Sequence, residues 1–272
     1  MKTKNKSLLI LGIVLSLAGL IGSIVGFSGY HTNQESINAS DPMFLPILLG
    51  LFALMCGIVV LVNALTQQKE AASRSTSEQV TRIAQAALFA ALSYIGFQVF
   101  RFDIPVGTEK TAFHFGNTFV VLAALLLGGS WGGMAGAVGL TIADLTSGYA
   151  TSAPKTFFLK LCIGLIAGFV AHHLFHITEE TSKQKLTLAT IVSAVCGMAF
   201  NVIADPLVGF FYKKYLFGIP QDMAATLAKI SAVTTLVNAI TSVLFVSLLY
   251  LALRPILIKA GLFVKISKRK NV

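Results

Sequence analysis

Charge is scarce in this chain. Only 12% of its 272 residues are Asp, Glu, Lys or Arg, and the acids number just 11. A soluble domain carries about twice that share of charged residues, so a water-covered globular surface is excluded. Cysteine is equally sparse: Cys56, Cys162 and Cys196 lie far apart inside apolar runs. That spacing supports neither a disulfide framework nor a metal site, and no metal or other cofactor is expected. There is no G-x-x-x-x-G-K-[ST] loop, which excludes an ATP-hydrolysing motor of that class. There is also no H-E-x-x-H or paired-acid motif of the kind a membrane-embedded enzyme would need, so the chain is not read as an enzyme.

What the sequence does have is apolar length. Hydrophobic residues make up 55% of the chain and the mean hydropathy is +0.79. Apolar segments run from Ser7 to Gly26, Phe44 to Leu65, Val80 to Phe100, Phe113 to Leu127, Trp131 to Leu145, Thr156 to Phe175, Leu186 to Tyr212 and Ala224 to Leu253. They predict an all-α polytopic membrane protein of eight helices. About 20 residues are needed to cross the hydrocarbon core, so the segments starting at Phe113 and Trp131 are short and are expected to thin the bilayer or line a cavity. The first segment follows Lys2, Lys4 and Lys6 but lacks a small-x-small cleavage site, and reads as a retained helix rather than a signal peptide.

The net charge of +10 does not point to nucleic acid, because the basic residues follow topology instead of clustering on one amphipathic element. With the N-terminus inside, fourteen of the 21 Lys and Arg residues fall on inner regions and five on outer loops, with Lys160 and Lys229 inside spans. Positive charge is retained in the cytoplasm, so both termini of this cell-membrane protein are expected there. The polar run TQQKEAASRSTSEQVT divides the chain into an N-terminal transmembrane hairpin (1–65), a cytoplasmic linker (66–79) and a six-helix domain (80–272). The hairpin reads as a packing or assembly element.

The chemistry concentrates between Ala112 and Phe175. Asp144 and Lys160 each lie a few residues inside the turn from Gly148 to Pro154. Antiparallel helices would therefore hold them at similar depth, where they could neutralise each other or meet a substrate. His114 and Asn117 are one helical turn apart at an outer helix end. Farther on, Asn201, Asp205 and Tyr212 lie near one face, beside a kink expected at Pro206. Thr234, Asn238 and Thr241 recur at helical spacing on the last helix, a pattern that also serves interhelical hydrogen bonding. The loop from Arg101 to Ala112 reads as a mobile polar connection over the outer side. His172 and His173 read as interfacial residues.

Four stretches in this order and spacing, HFGNTFVVLAALLLGG, WGGMAGAVG, ADLTSGYATSAP and KTFFLKLCIGLIAG, resemble the substrate-capturing S components of energy-coupling-factor (ECF) vitamin transporters. The resemblance extends from about Arg82 to the C-terminus and leaves out the first 80 residues. It implies a six-helix core that captures a small micronutrient, a B vitamin or its precursor, outside the cell. It further implies a membrane coupling protein and two cytoplasmic ATPases as partners, and a gating role for the loop from Arg101 to Ala112. The substrate contacts would come from His114, Asn117, Asp144, Lys160, Asn201, Asp205, Tyr212 and Asn238. In RIAQAALFAALSYIG, the small residues Ala84, Ala86, Ala87, Ala90 and Ala91 match the family's Ala-x-x-x-Ala docking face for the coupling protein. The alternative is an ion-coupled secondary transporter using Asp144, Lys160 and Asp205 as coupling groups; the absence of a convincing inverted repeat counts against it.

Overall fold

A computed structural model of the chain describes residues 10–22, 50, 53, 57, 76–106, 109–263 and 266. Among these the order is α1 (Ile10–Gly22), α2 (Thr76–Gln98), strands β1 (Phe102–Val106) and β2 (Glu109–Phe113), then α3 (Gly116–Leu127), α4 (Gly129–Thr146), α5 (Ala153–Phe169), α6 (Lys183–Phe211) and α7 (Gln221–Lys259). That is seven helices among the described residues. The expected second helix, 44–65, falls outside them apart from three positions. Helix α2 begins at Thr76, four residues before the apolar run that predicts it.

Helix α3 is the centre. All its residues but Phe119 are buried, and α2, α4, α5 and α7 pack around it. A helix apolar on nearly every side is either an interior helix or a membrane span, and the burial of α3 makes it the former. With 12 residues it is about 18 Å long at 1.5 Å per residue, too short to span a hydrocarbon core of about 30 Å, and both of its ends stop inside the protein. At its C-terminus Gly128 turns the chain at φ 89°, and the Arg82 guanidinium donates to the Leu127 carbonyl at 2.6 Å, answering one of the acceptors a helix end leaves open.

Four helical segments are long and apolar enough to cross a membrane: Thr76–Gln98, Ala150–Leu174, Lys183–Leu216 and Gln221–Lys259. Their outward faces carry large apolar side chains such as Ile83, Leu88, Leu188, Ile203, Val233, Ile240 and Leu248, all at least 55% exposed. In water such a belt would drive association; in lipid it is the matching solvent. On α2 the small residues divide between two faces. Ala84, Ala87 and Ala91 lie outward, whereas Ala86 and Ala90 pack against the core.

The bundle is drawn tight where α4 crosses α5. A Cβ at Gly164 would collide with the Gly133 backbone, and one at Gly168 with that of Gly129. Small residues allow this approach in lipid, where dispersion replaces the hydrophobic drive. The loop from Arg101 to Ala112 is not the irregular connection expected. It forms most of an antiparallel hairpin in which Phe102 pairs with Phe113 and Val106 with Glu109, so the fold is helical with one small sheet. Likewise His172 is not interfacial: it is buried, with Nε2 3.0 Å from the Ala124 carbonyl, while His173 stays exposed.

Gly164→Val should force α4 and α5 apart and lower stability by about 1–3 kcal/mol or more. Thermal melting of the detergent-purified protein measures it, and an unchanged midpoint would contradict the close crossing.

Candidate functional site

Beneath the hairpin, at the N-terminal end of α3, the helices leave a polar cavity. It is walled by His114, Asn117, Asp144, Lys155, Thr156, Lys160, Asn201, Asp205 and Asn238, with Phe97, Leu140 and Tyr149 supplying apolar and aromatic surface. The cavity exists because α3 stops short: its first turn forms a floor, and longer neighbours continue past it as walls.

The hairpin is fastened over this space on two sides. Toward α7, the Asn238 amide donates to the Ala112 carbonyl at 3.0 Å and accepts from the His114 N–H at 3.0 Å, and the Thr111 and Thr234 hydroxyls share a hydrogen bond. On the opposite flank the Asp103 carboxylate gathers Arg101 at 2.9 Å, Lys110 at 3.2 Å and the Tyr149 hydroxyl at 2.8 Å. Burial and the hydrogen bond to Asp103 push the Tyr149 phenol above its ordinary pKa, so it remains a donor at neutral pH. Lys110 also lies over the Tyr149 ring at 4.4 Å and donates to the Ser147 carbonyl.

Inside, Asp205 is the most heavily bonded acid. Lys155 donates to its Oδ1 at 2.8 Å, and Ser231 and Thr235 donate to Oδ2 at 2.7 and 3.1 Å. One carboxylate therefore joins α5, α6 and α7. It stands immediately before Pro206, whose missing N–H leaves a gap in the α6 ladder.

Asp144 and Lys160 reach the same cavity, in keeping with their matched depth, but the expected ion pair between them does not form. The Asp144 carboxylate instead accepts from the Thr156 hydroxyl, and Lys160 donates to Asn201 Oδ1 at 3.3 Å. The reason is lateral: Asn201 of α6 stands across from Lys160, while Thr156, one turn nearer the start of α5, faces Asp144.

Seven of the eight expected contact residues line the cavity: His114, Asn117, Asp144, Lys160, Asn201, Asp205 and Asn238. Tyr212 does not; its hydroxyl donates to the Thr151 carbonyl at 2.9 Å. His114 precedes α3 instead of sitting on it, and its ring rests 4.7 Å from that of Phe97. Asn117 is 1% exposed and its Oδ1 has no hydrogen-bond partner. Sequence reasoning missed Lys155, Thr156, Ser231 and Thr235. A signal existed for Lys155: it lies in the first turn of α5 directly after Pro154, where the helix dipole disfavours a cation that lacks an acid partner. Among the described residues no group of three or more His, Cys, Asp or Glu converges to hold a metal ion.

A family model described as the S component of ECF-type riboflavin transporters matches residues 77–255, from the start of α2 to within α7. The chain belongs to this family. No curated protein and no solved structure matches it. The S component is thus a multi-pass membrane protein, the substrate-binding subunit of an ECF transporter for a vitamin-like molecule and not an enzyme, and it associates with an ECF module.

In this S component Asp205→Asn should lower stability by roughly 3–5 kcal/mol, because it strands the Lys155 ammonium in a buried setting. A paired Lys155→Met, Asp205→Leu variant should recover much of that loss. Melting curves of the three variants test this; a single Asn variant as stable as the parent would show that the ion pair does not hold the helices.

Proposed function

We propose that this S component captures a small B vitamin or precursor outside the cell in the cavity under the hairpin, and releases it inward when an ECF module turns it over. The observation that carries this reading is the cavity's one-ended construction. Its polar wall lies entirely at the hairpin end. The opposite end is stitched shut by Arg82 on the Leu127 carbonyl, Arg254 on the Glu180 carbonyl at 2.8 Å and Gln85 on the Leu262 carbonyl at 2.7 Å. The excess of Lys and Arg on regions assigned to the cytoplasm supports placing the hairpin outside and both termini inside.

His114, Asn117, Asp144, Lys160 and Asn201 are the proposed substrate contacts. Asp205 and Asn238 border the substrate chiefly as scaffolding, since their polar atoms are engaged with the protein. Tyr212 is not included. The family's name makes riboflavin the first compound to assay.

Energy comes from two cytoplasmic ATPases and is passed on by a membrane coupling protein, which docks on α2 at Ala84, Ala87 and Ala91. These positions, three and four apart, lie on one outward face flanked by exposed Ile83 and Leu88. Small outward residues let another helix come close.

The experiment is substrate binding, complex recovery and uptake measured side by side. Ala87→Leu should leave fold and riboflavin affinity intact while abolishing co-purification with the module and ATP-driven uptake. Ala90→Leu, which points into the bundle, should lose folding and binding together. Uptake that survives ATP depletion but collapses with the ion gradient would reject the ATP-driven reading in favour of an ion-coupled carrier.

A further inference from the structure

The match to the family stops at residue 255, but the chain continues past it into a defined set of contacts. Helix α7 ends at Lys259. Gly261, at φ 69°, reverses the chain, and the Leu262 N–H returns to the Leu257 carbonyl at 2.9 Å, the closing bond of a helix that ends by turning back. The reversed segment lies against the end of the bundle away from the cavity. Its Leu262 carbonyl accepts from the Gln85 amide of α2 at 2.7 Å. Phe263 packs on the core, with the Arg254 guanidinium 5.6 Å from its ring centroid. Ile266 makes two further contacts. Its carbonyl accepts from the Thr178 hydroxyl, between α5 and α6, at 3.2 Å, and its side chain lies 3.0 Å from where a Cβ on Gly128 would stand, at the end of α3.

The element that gains most from these contacts is α2. Of the four spans, α2 and α7 bury the smallest share of their residues. Helix α2 packs against α3 and α4, and the Gln85 hydrogen bond ties it in addition to a segment 177 residues later in the chain. The fastening is a surface one: Leu262 stays 45% exposed, and Gln85 Oε1 is buried without a hydrogen-bond partner. A contact so incompletely bonded adds little to the core and acts through the position it imposes. Gln85 follows Ala84 and stands about 100° around α2 from it, so the segment reaches the flank of the face formed by Ala84, Ala87 and Ala91 and leaves that face open. We infer that the segment from Gly261 to Ile266 is a strap that fixes the N-terminal half of α2 and thereby preorganises its outward alanine face for the coupling protein. The inference rests on the docking reading above. A helix that has to be ordered at the moment of association loses affinity to that ordering; the strap completes the ordering during folding.

The test uses the full chain purified in detergent, with riboflavin as the binding probe, and the chain co-expressed with an ECF module. Gln85→Leu cuts the tie to Leu262, Thr178→Val cuts the tie to Ile266, and ending the chain at Ala260 removes the strap whole. Each should leave riboflavin affinity within about twofold of the parent, because the cavity is at the other end of the bundle. Amide hydrogen exchange over residues 80–88 should quicken at least about tenfold in the shortened chain, and by a smaller factor in the point variants. Recovery with the module should fall at least about fivefold in the shortened chain. If the shortened chain fails to fold, the two point variants carry the same readouts. A chain that keeps the strap but has Gln at positions 265, 268, 269 and 270 in place of Lys265, Lys268, Arg269 and Lys270 should behave as the parent; if it matches the shortened chain instead, the charge of the tail and not the strap is responsible, and the inference is overturned. Unchanged exchange over residues 80–88 overturns it as well. So does undiminished recovery in every strap variant when Ala87→Leu abolishes recovery. Undiminished recovery in Ala87→Leu itself would overturn the docking reading, with the hold of the strap on α2 still read separately from exchange in the isolated chain.

Discussion

A carboxylate placed among apolar helices must find its donors within the protein, and Asp205 finds three, from Lys155, Ser231 and Thr235. In a medium with little water the penalty for leaving any of them unmade is large. The last three helices are therefore held at one relative rotation and depth, and the other polar groups inherit their positions from that arrangement. Asn201, one turn before Asp205 on α6, is carried to the Lys160 ammonium. Thr234 and Asn238, on the same stretch of α7 as Ser231 and Thr235, are turned toward the hairpin.

The second constraint is the shortness of α3. A helix buried on all sides and ending inside the bundle has to have its ends closed by other parts of the chain. At the C-terminal end this is done by arginine and glycine: Arg82 takes the Leu127 carbonyl and Gly128 reverses the chain in a conformation that side chains rarely adopt. At the N-terminal end it is done by a sheet. Two strands satisfy each other's backbone and so can lie over a polar cavity without presenting a row of open donors and acceptors to it.

These two solutions leave a gradient of satisfaction across the cavity. Its margins, around Asp103, Asp205 and Asn238, are saturated with hydrogen bonds. Its middle, around Asp144, Lys160 and Asn117, is not. Residues that hold a fold are expected to complete their hydrogen bonds within the protein, while groups that bind are kept short of partners at some cost in stability. Local incompleteness, more than the presence of charge, distinguishes the proposed contacts from their scaffolding.

The membrane character of the chain, the order of its helices and the common depth of Asp144 and Lys160 were legible in the sequence, because each depends on local quantities: hydropathy over about 20 residues, rise per residue and the position of a turn. The adjacency of Asp205 to Pro206, which lies inside α6, was legible for the same reason. Which partner each charge takes was decided only in three dimensions. Asp144 has Thr156 and Lys160 has Asn201 because the Gly133–Gly164 and Gly129–Gly168 contacts set how far α4 and α5 approach and rotate, and a rotation about a helix axis leaves no trace in a window of sequence. The same applies on α2, where Ala86 and Ala90 turned inward and Ala84, Ala87 and Ala91 outward. It applies as well to the stretch from Phe102 to Phe113, whose pairing into strands depends on what lies beneath it and not on its own composition.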